Sequence, residues 1–480
     1  MVREYRDIRK IEEFTDFIKD KSVSVIGIGI SNIPLLDFLS KCGVKKITAR
    51  DKKNIFANGN IPELDEIGKA AKIDYIFGEN YLNDLTEDMI FKTPSARRDL
   101  SIIAEAEKNG KIITSEMELF FMLCPAKTIA ITGSEGKTTT TTIIGEILKA
   151  AGKTVYVGGN IGAPLLNQIE YITKNDYAVL ELSSFQLFDL NNERFSPDYA
   201  VITNITPNHL DWHKNMDEYA NAKKIIYKNQ KESDRLILNF DNGLTKNIKN
   251  IKPAAYYFSN GILPDEYKNG IYCDGDKIIT RENGIEKIIM NKNDILLKGE
   301  HNILNFMAAV GVTHDIAGTD IIQKIAKTFK GVEYRREFVR EIDGVSYYDS
   351  SADSTPTQTN AALNSFEKDK KIIVMLGGRD KNLDYTLLAP VVYKKAKAAV
   401  LYGTTKDIIK KCLDDYKDHN NGCGGLTVQI ADSFDSAVIT AKKLADSGDI
   451  VLLSPACTSL DYFKNFEERG NRFKELVNGF

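Results

Sequence analysis

An α/β fold in three domains is predicted for this chain by three observations. Apolar strand-like runs alternate with helical patterns along almost the whole sequence. Two Gly-containing turns each follow such a run and lead into a helix. The length of 480 residues is too great for one hydrophobic core. In the first part, Val23–Gly27 reads as a strand, Gly29–Ser40 leads into a helix, and Ile47–Arg50 reads as a second strand ending at Asp51. Short strands are expected at Ile73–Phe77, Met89–Lys92 and Ile112–Thr114. Cys124-Pro125 marks a boundary. The middle part repeats the rhythm, with strands at Thr128–Ile131, Val155–Gly158, Ala178–Leu182, Tyr199–Thr203 and Arg235–Asn239. Residues 241–300 are polar and turn-rich and predict a small β excursion, and His301–Ala317 predicts a helix. The last part begins near Gly331, with strands at Ile372–Leu376, Ala398–Tyr402, Val428–Ala431 and Ile450–Leu453. The expected domains are therefore 1–124, 125–330 and 331–480.

The strongest chemical signal is Thr132-Gly133-Ser134-Glu135-Gly136-Lys137-Thr138-Thr139. It lies between an apolar strand and a helix with Ile143, Ile144, Ile147 and Leu148 on one face. Loop N–H groups and a helix N-terminus present partial positive charge to a phosphate. Lys137 can reach the terminal phosphates, and the Thr138 or Thr139 hydroxyl can meet a magnesium ion. The loop is shorter than the usual G-x-x-x-x-G-K-[ST], since Ile131 stands where the first Gly would be.

Bulk composition excludes several classes. A net charge of −3 gives no electrostatic reason for a nucleic-acid partner or an acidic membrane surface. No apolar run reaches membrane-spanning length. Six scattered cysteines without C-x-x-C spacing predict reduced thiols, and a cytoplasmic location is the expectation.

Other constellations are less specific. Gly27-Ile28-Gly29-Ile30-Ser31-Asn32 resembles a dinucleotide fingerprint with Asn32 at the third Gly position, and Asp51 lies where a ribose-binding acid would sit. It could bind a dinucleotide, a nucleotide-sugar diphosphate, or nothing. Ala178–Leu182 delivers Glu181 near a strand end, where a nucleotide-bound magnesium needs an oxygen ligand; a surface Glu is the plainer reading. His209, in Pro207-Asn208-His209, follows another strand end and is a candidate second ligand. Lys223 reads as a solvated charge on a helix.

Taken together, these residues resemble the Mur ligases over roughly Val23–Val477. The resemblance rests on Ile131–Thr140, Gly158-Gly159-Asn160-Ile161-Gly162, Glu181-Leu182-Ser183-Ser184-Phe185-Gln186-Leu187, and Leu453–Asp461 continuing through Phe463–Gly470. The tail is similar to the glutamate-adding branch. The resemblance implies a Rossmann-like N-terminal domain, a central P-loop ATPase-like domain and a Rossmann-like C-terminal domain. It implies an ATP-dependent, Mg2+-requiring amide ligase of peptidoglycan precursor synthesis, joining D-glutamate to UDP-N-acetylmuramoyl-L-alanine through an acyl phosphate. A monomer without nucleic-acid or membrane partners is expected.

By the same resemblance, Gly133, Ser134, Glu135, Gly136, Lys137, Thr138 and Thr139 hold the ATP phosphates. Asn302 and Asn305, beside His301, contact adenine, and Arg335 and Asp349 also serve ATP. Thr138, Glu181, His209 and Lys223 support the metal, Lys223 as a carbamate. Asn160 sits near the reacting phosphate and sugar, and Lys137, Lys223, His209 and Asn160 form the catalytic set. Gly29, Ile30, Ser31, Asn32 and Asp51 receive the UDP part. Lys381, Ser459 and Phe466 hold glutamate, with Arg379 the local rival for the cation that a dicarboxylate needs. The chain departs from the family at Tyr348–Ser354, where Ser350 takes the position of an expected acid, Asp349 comes one residue early and no Lys follows. Thr93-Pro94-Ser95-Ala96 also lacks a Gly common in the sugar-nucleotide site. Two alternatives stand beside this reading. One is a related ligase for L-glutamate, and the other is a nucleotide-binding protein without catalysis. NAD chemistry at the first Gly cluster is a more distant third.

Overall fold

The computed structural model describes residues 2–480 apart from 30–31, 57–60, 163, 191–194, 210–211, 298, 367–371, 381–382 and 420–424. Ile30, Ser31 and Lys381 therefore lie outside the described residues. The chain divides into two compact units, Met1–Thr328 and Phe329–Phe480.

The first unit carries two sheets. The N-terminal one contains β1 (Ser22–Ile26), β2 (Lys46–Asp51), β3 (Ile73–Phe77), β4 (Met89–Lys92) and β5 (Ile112–Thr114), ordered β3-β2-β1-β4-β5. All neighbours are parallel. The inner strands β1 and β4 are buried almost throughout, as strands of a parallel sheet covered on both faces are. The order reverses between β1 and β4, which opens a crevice at their carboxyl ends. The Gly27 turn lies there, and the Thr93 N–H that follows β4 donates to the Ile26 carbonyl.

The second sheet contains β6 (Lys127–Thr132), β7 (Val155–Gly159), β8 (Tyr177–Glu181), β9 (Tyr199–Ile202), β10 (Arg235–Asn239), β11 (Ala254–Ser259), β12 (Gly270–Asp274), β13 (Lys277–Glu282) and β14 (Ile285–Asn291). Its order is β14-β13-β12-β11-β10-β9-β6-β8-β7. The expected excursion at 241–300 is thus a continuation of the main sheet. β11 pairs parallel with β10 and with β12, and only β13 runs antiparallel to its neighbours. The apolar core is continuous from Phe14, Leu39 and Phe120 around the first sheet to Leu180, Leu187 and Leu236 around the second. That shared core explains why Cys124-Pro125 does not separate two compact units.

The second unit holds β15 (Glu337–Ile342), β16 (Val345–Asp349), β17 (Ile372–Gly377), β18 (Ala396–Tyr402), β19 (Thr427–Ile430) and β20 (Ile450–Leu453), ordered β15-β16-β20-β17-β18-β19. Only β15 is antiparallel. The β15–β16 hairpin was not expected from the sequence. Its signal is Asp343-Gly344, both at positive φ, a pair suited to a two-residue hairpin turn.

One buried feature carries a stability prediction. Ser115 caps the helix Glu116–Leu123 by accepting from the Glu118 N–H, and the first turn is enclosed. Burial pushes the Glu116 carboxyl up to about 7, and its Oε1 meets no hydrogen-bond partner. A folded-state pKa above the unfolded one means that the contribution to stability is present at low pH and lost as pH rises toward 7. Glu116→Gln should therefore raise the melting temperature relative to the parent more at pH 8 than at pH 5. Equal shifts at both pH values in thermal melts would refute this.

Candidate active site

β6 delivers the loop Gly133–Gly136, and the helix Lys137–Ala150 begins directly after it. Gly133 and Gly136 both take positive φ. A Cβ at Gly133 would overlap the Thr203 hydroxyl, and one at Gly136 would overlap the Asn305 amide. The loop is pinned from the β9 side. Ser134 N donates to Asn204 O, Glu135 N to Asn204 Oδ1, and Thr203 Oγ1 to Glu135 O. Ser134 Oγ donates to Thr206 O, so the Tyr219 hydroxyl 2.9 Å away acts as donor to it. Lys137 Nζ donates to Gly133 O at 3.0 Å and Ser134 O at 2.9 Å. Thr138 and Thr139 lie in the first helical turn, where backbone N–H groups lack intrahelical acceptors.

Beside the loop, Glu181 at the end of β8 gathers two partners. Thr138 Oγ1 donates to Oε2 at 2.7 Å, and Asn160 Nδ2 donates to Oε1 at 2.9 Å. Lys223 corrects the sequence reading, because it is buried rather than solvated. The helix Met216–Lys224, capped by Asn215, turns Tyr219 and Lys223 to one face, as four-residue spacing requires. Lys223 Nζ donates to Gly133 O at 2.7 Å and lies 4.7 Å from the Tyr219 ring centroid. Burial holds its pKa well below the usual lysine value, with Lys137 lowering it further and Glu181 opposing.

His209 sits at a positive φ, with its ring 5.0 Å from that of Phe185 and 6.5 Å from that of Tyr219. Sequence reasoning missed Tyr219, which touches both the loop and Lys223. The signal was its position one helical turn before that lysine. It also missed His213, which is buried with Nε2 2.9 Å from Ser184 Oγ. Burial lowers the His213 pKa and favours the neutral ring.

On the helix Glu300–Thr313, Asn305 Oδ1 lies 3.5 Å from Thr140 Oγ1, and Asn305 Nδ2 donates to Asn302 Oδ1. This brings both asparagines to the start of the phosphate-loop helix. In the first sheet, Asp51 Oδ2 accepts from Ile28 N, and Asn32 Nδ2 donates to the Ile26 and Gly27 carbonyls. Asn32 therefore braces the turn that Gly29 belongs to, in place of a third glycine.

In the second unit, Arg335 is exposed between Tyr334 and Arg336, both at positive φ. Asp349 is fully buried, packed against Gly470, and burial pushes its carboxyl up to about 7. Its Oδ2 is enclosed rather than presented at the surface. Ser350, in the position of the missing acid, donates to Asp353 Oδ2 at 2.6 Å. Ser459 is buried, and Phe466 is 38% exposed with its ring edge-on to Tyr334.

Residues 131–313 match the Mur ligase middle domain, and 334–457 match the Mur ligase glutamate ligase domain. The chain belongs to the Mur ligase family. It is 45% identical over 471 residues to the UDP-N-acetylmuramoylalanine–D-glutamate ligase of Acetivibrio thermocellus, covering 98% of each chain. The corresponding ligase of Clostridium novyi is 46% identical over 473 residues, covering 98% of this chain and 99% of that one. The fold is similar to the crystal structure of UDP-N-acetylmuramate-alanine ligase from Thermotoga maritima, with TM-score 0.52 and 18% identity over 96% of this chain and 99% of the other.

The donor chemistry of this Mur ligase fits a nucleotide-bound magnesium ion. Glu181 and Thr138 supply hard oxygens, the ligand type that magnesium takes. Among the described residues, no group of three or more His, Cys, Asp or Glu forms a metal cage. The glycine cradle gives a test. Gly136→Ala combines a left-handed backbone with an overlap at Asn305, so ATP affinity should fall about tenfold or more, the backbone alone costing about 1–2 kcal/mol. Nucleotide titration by fluorescence or calorimetry would show it, and unchanged affinity would remove Gly136 from the cradle.

Proposed function

We propose that this Mur ligase joins D-glutamate to UDP-N-acetylmuramoyl-L-alanine at the expense of ATP, in the cytoplasm and as a monomer. The observation that carries the reading is the buried Lys223 held against the phosphate loop, beside Thr138, Glu181 and Asn160. A loop that merely bound nucleotide would have no use for a buried amine at that place. Full-length similarity to ligases of that name supports the substrate assignment.

The domains are assigned as 1–124 for the UDP-sugar, 125–330 for ATP and 331–480 for the amino acid. Gly29, Asn32 and Asp51 lie at the crevice of the first sheet and are assigned to the UDP part. Asn302 and Asn305 are assigned to adenine, Arg335 to ATP, and Ser459 and Phe466 to glutamate. Glu181, Thr138, His209 and Lys223 would hold the magnesium, which when bound neutralises charge on the phosphates.

The reaction must convert a carboxylate, a poor electrophile, into an amide. Transfer of the γ-phosphoryl group from ATP to the carboxylate oxygen gives an acyl phosphate and ADP. The neutral amine of glutamate then forms the C–N bond, loses a proton, and expels phosphate. Lys137 and the helix N-terminus hold the migrating phosphoryl group in line, since this chemistry depends on positioning and charge. Asn160 orients Glu181 from the side opposite Thr138.

Phosphate release from ATP with magnesium, UDP-N-acetylmuramoyl-L-alanine and either D- or L-glutamate tests the proposal. Release requiring the sugar nucleotide and D-glutamate is expected. Release with L-glutamate would revise the acceptor. No release, with ATP still bound, would favour a nucleotide-binding protein, the reading to which the burial of Asp349 lends support.

A further inference from the structure

Arg469 lies in the helix Phe466–Asn478 and is 1% exposed, the largest fully buried side chain among the described residues. Its guanidinium meets only neutral oxygens. Nε donates to Ser351 Oγ at 3.0 Å, and Nη2 donates to Ser351 O at 2.8 Å and Cys457 O at 3.1 Å. Nη1 is enclosed and meets no acceptor in strict hydrogen-bonding geometry, with the buried Tyr402 hydroxyl beside the guanidinium. Among the described residues no carboxylate forms an ion pair with it, although Asp349 and Asp461 lie close enough to feel its charge. Burying a cation without an acid costs several kcal/mol, so structures ordinarily supply one.

The segments around this cation are those assigned to glutamate. Cys457 is two residues before Ser459, and Ser351 Oγ donates to the carbonyl of Phe466 at 2.8 Å. Phe466 and Arg469 share a helix face at three-residue spacing. Gly378 packs on the guanidinium itself, where a Cβ would come 3.2 Å from Nη1, and its neighbour Arg379 donates its N–H to Thr458 O. The guanidinium, with no ion-pair partner among the described residues, therefore lies where these segments converge.

We propose that Arg469 is a positioning residue for the amino-acid substrate. It locks the Ser351, Gly378, Cys457–Ser459 and Phe466 segments together, and its unpaired charge makes their pocket selective for a dicarboxylate. This rests on the ligase reading above. Arg379 is the exposed cation that contact would favour, whereas Arg469 acts from beneath through the backbone it holds and through its field.

The test compares full-length parent enzyme, Arg469→Lys, Arg469→Gln and Ser351→Ala. The readouts are the KM for D-glutamate, the KM for ATP, and the inhibition constant of D-glutamine, which lacks the second carboxylate. In Arg469→Gln the KM for D-glutamate should rise about tenfold or more while the ATP KM stays within about twofold. Its preference for glutamate over glutamine should fall by a similar factor. Arg469→Lys should restore most of that preference. Ser351→Ala keeps the charge and should keep the preference while lowering kcat, which gives a reading even if the arginine variants fold poorly. Parallel losses for glutamate, glutamine and ATP would reduce Arg469 to a structural clamp, and a lost preference in Ser351→Ala would overturn the role of charge. Absence of D-glutamate-dependent turnover in the parent would overturn the ligase reading together with this one.

Discussion

Lys137→Ala should lower kcat by about 10²–10³-fold, the cost of removing one well-placed donor to developing charge. The fold should persist. Lys137 Nζ is held on the carbonyls of Gly133 and Ser134, in a partly exposed position at the helix start. Truncation there exposes those carbonyls to water and leaves no cavity in the core, so the melting temperature should change little. The loss belongs to the transferring phosphoryl group, whose charge spreads over its oxygens in the transition state. An ammonium resting on neutral carbonyls is poised to move to that stronger acceptor. A second consequence follows from charge alone: Lys137 helps hold the Lys223 pKa down, so its removal should let that pKa rise. Steady-state phosphate release and thermal melts on the same preparation decide the matter. Turnover near that of the parent would remove Lys137 from phosphate binding.

The sequence showed the sheets because most of their parallel strands are short, largely apolar runs bounded by turns and helices. Ile73–Phe77, Met89–Lys92, Ile112–Thr114, Arg235–Asn239 and Ile450–Leu453 have the expected boundaries. It showed β11–β14 only as an excursion and hid the β15–β16 hairpin for a different reason. β14 and β15 lie at sheet edges and are partly exposed, so their polar residues read as loop. The phosphate loop was legible because its function is carried by backbone and glycine, which local spacing encodes. Lys223 was not, since what distinguishes it from a surface lysine is burial against a loop ninety residues earlier. Arg469 and Asp349 illustrate the same limit. Arg469 drew no role of its own and Asp349 was expected beside ATP, and only the packing of residues 349–351 against the last helix encloses them. Charge in a sequence reports composition, whereas its chemistry depends on which water the fold removes.

Lys223 should carry a carbamate in the active enzyme. A lysine with its pKa held well below the ordinary value is a neutral amine over the range where solvent-exposed lysines are ammonium ions. A neutral Nζ can form an N–C bond with carbon dioxide and release a proton, leaving an anionic oxygen pair in place of the amine. That exchange relieves the cost of burying positive charge beside Lys137, and it supplies oxygen donors next to Glu181 and Thr138, the ligand type magnesium prefers. The direction with pH follows. Below the depressed pKa the amine is protonated and unreactive, so modification and activity should both rise as pH increases through that value. Native mass spectrometry of the intact protein should show one added carbon dioxide, lost on acidification. Turnover should fall in carbon dioxide-free buffer and return with bicarbonate. Lys223→Arg keeps a cation that cannot react and should cost about 10²-fold or more in kcat, comparable to other losses of preorganised charge. Full activity without bicarbonate and without the added mass would leave the unmodified amine as the working group, acting as a donor to the loop through Gly133.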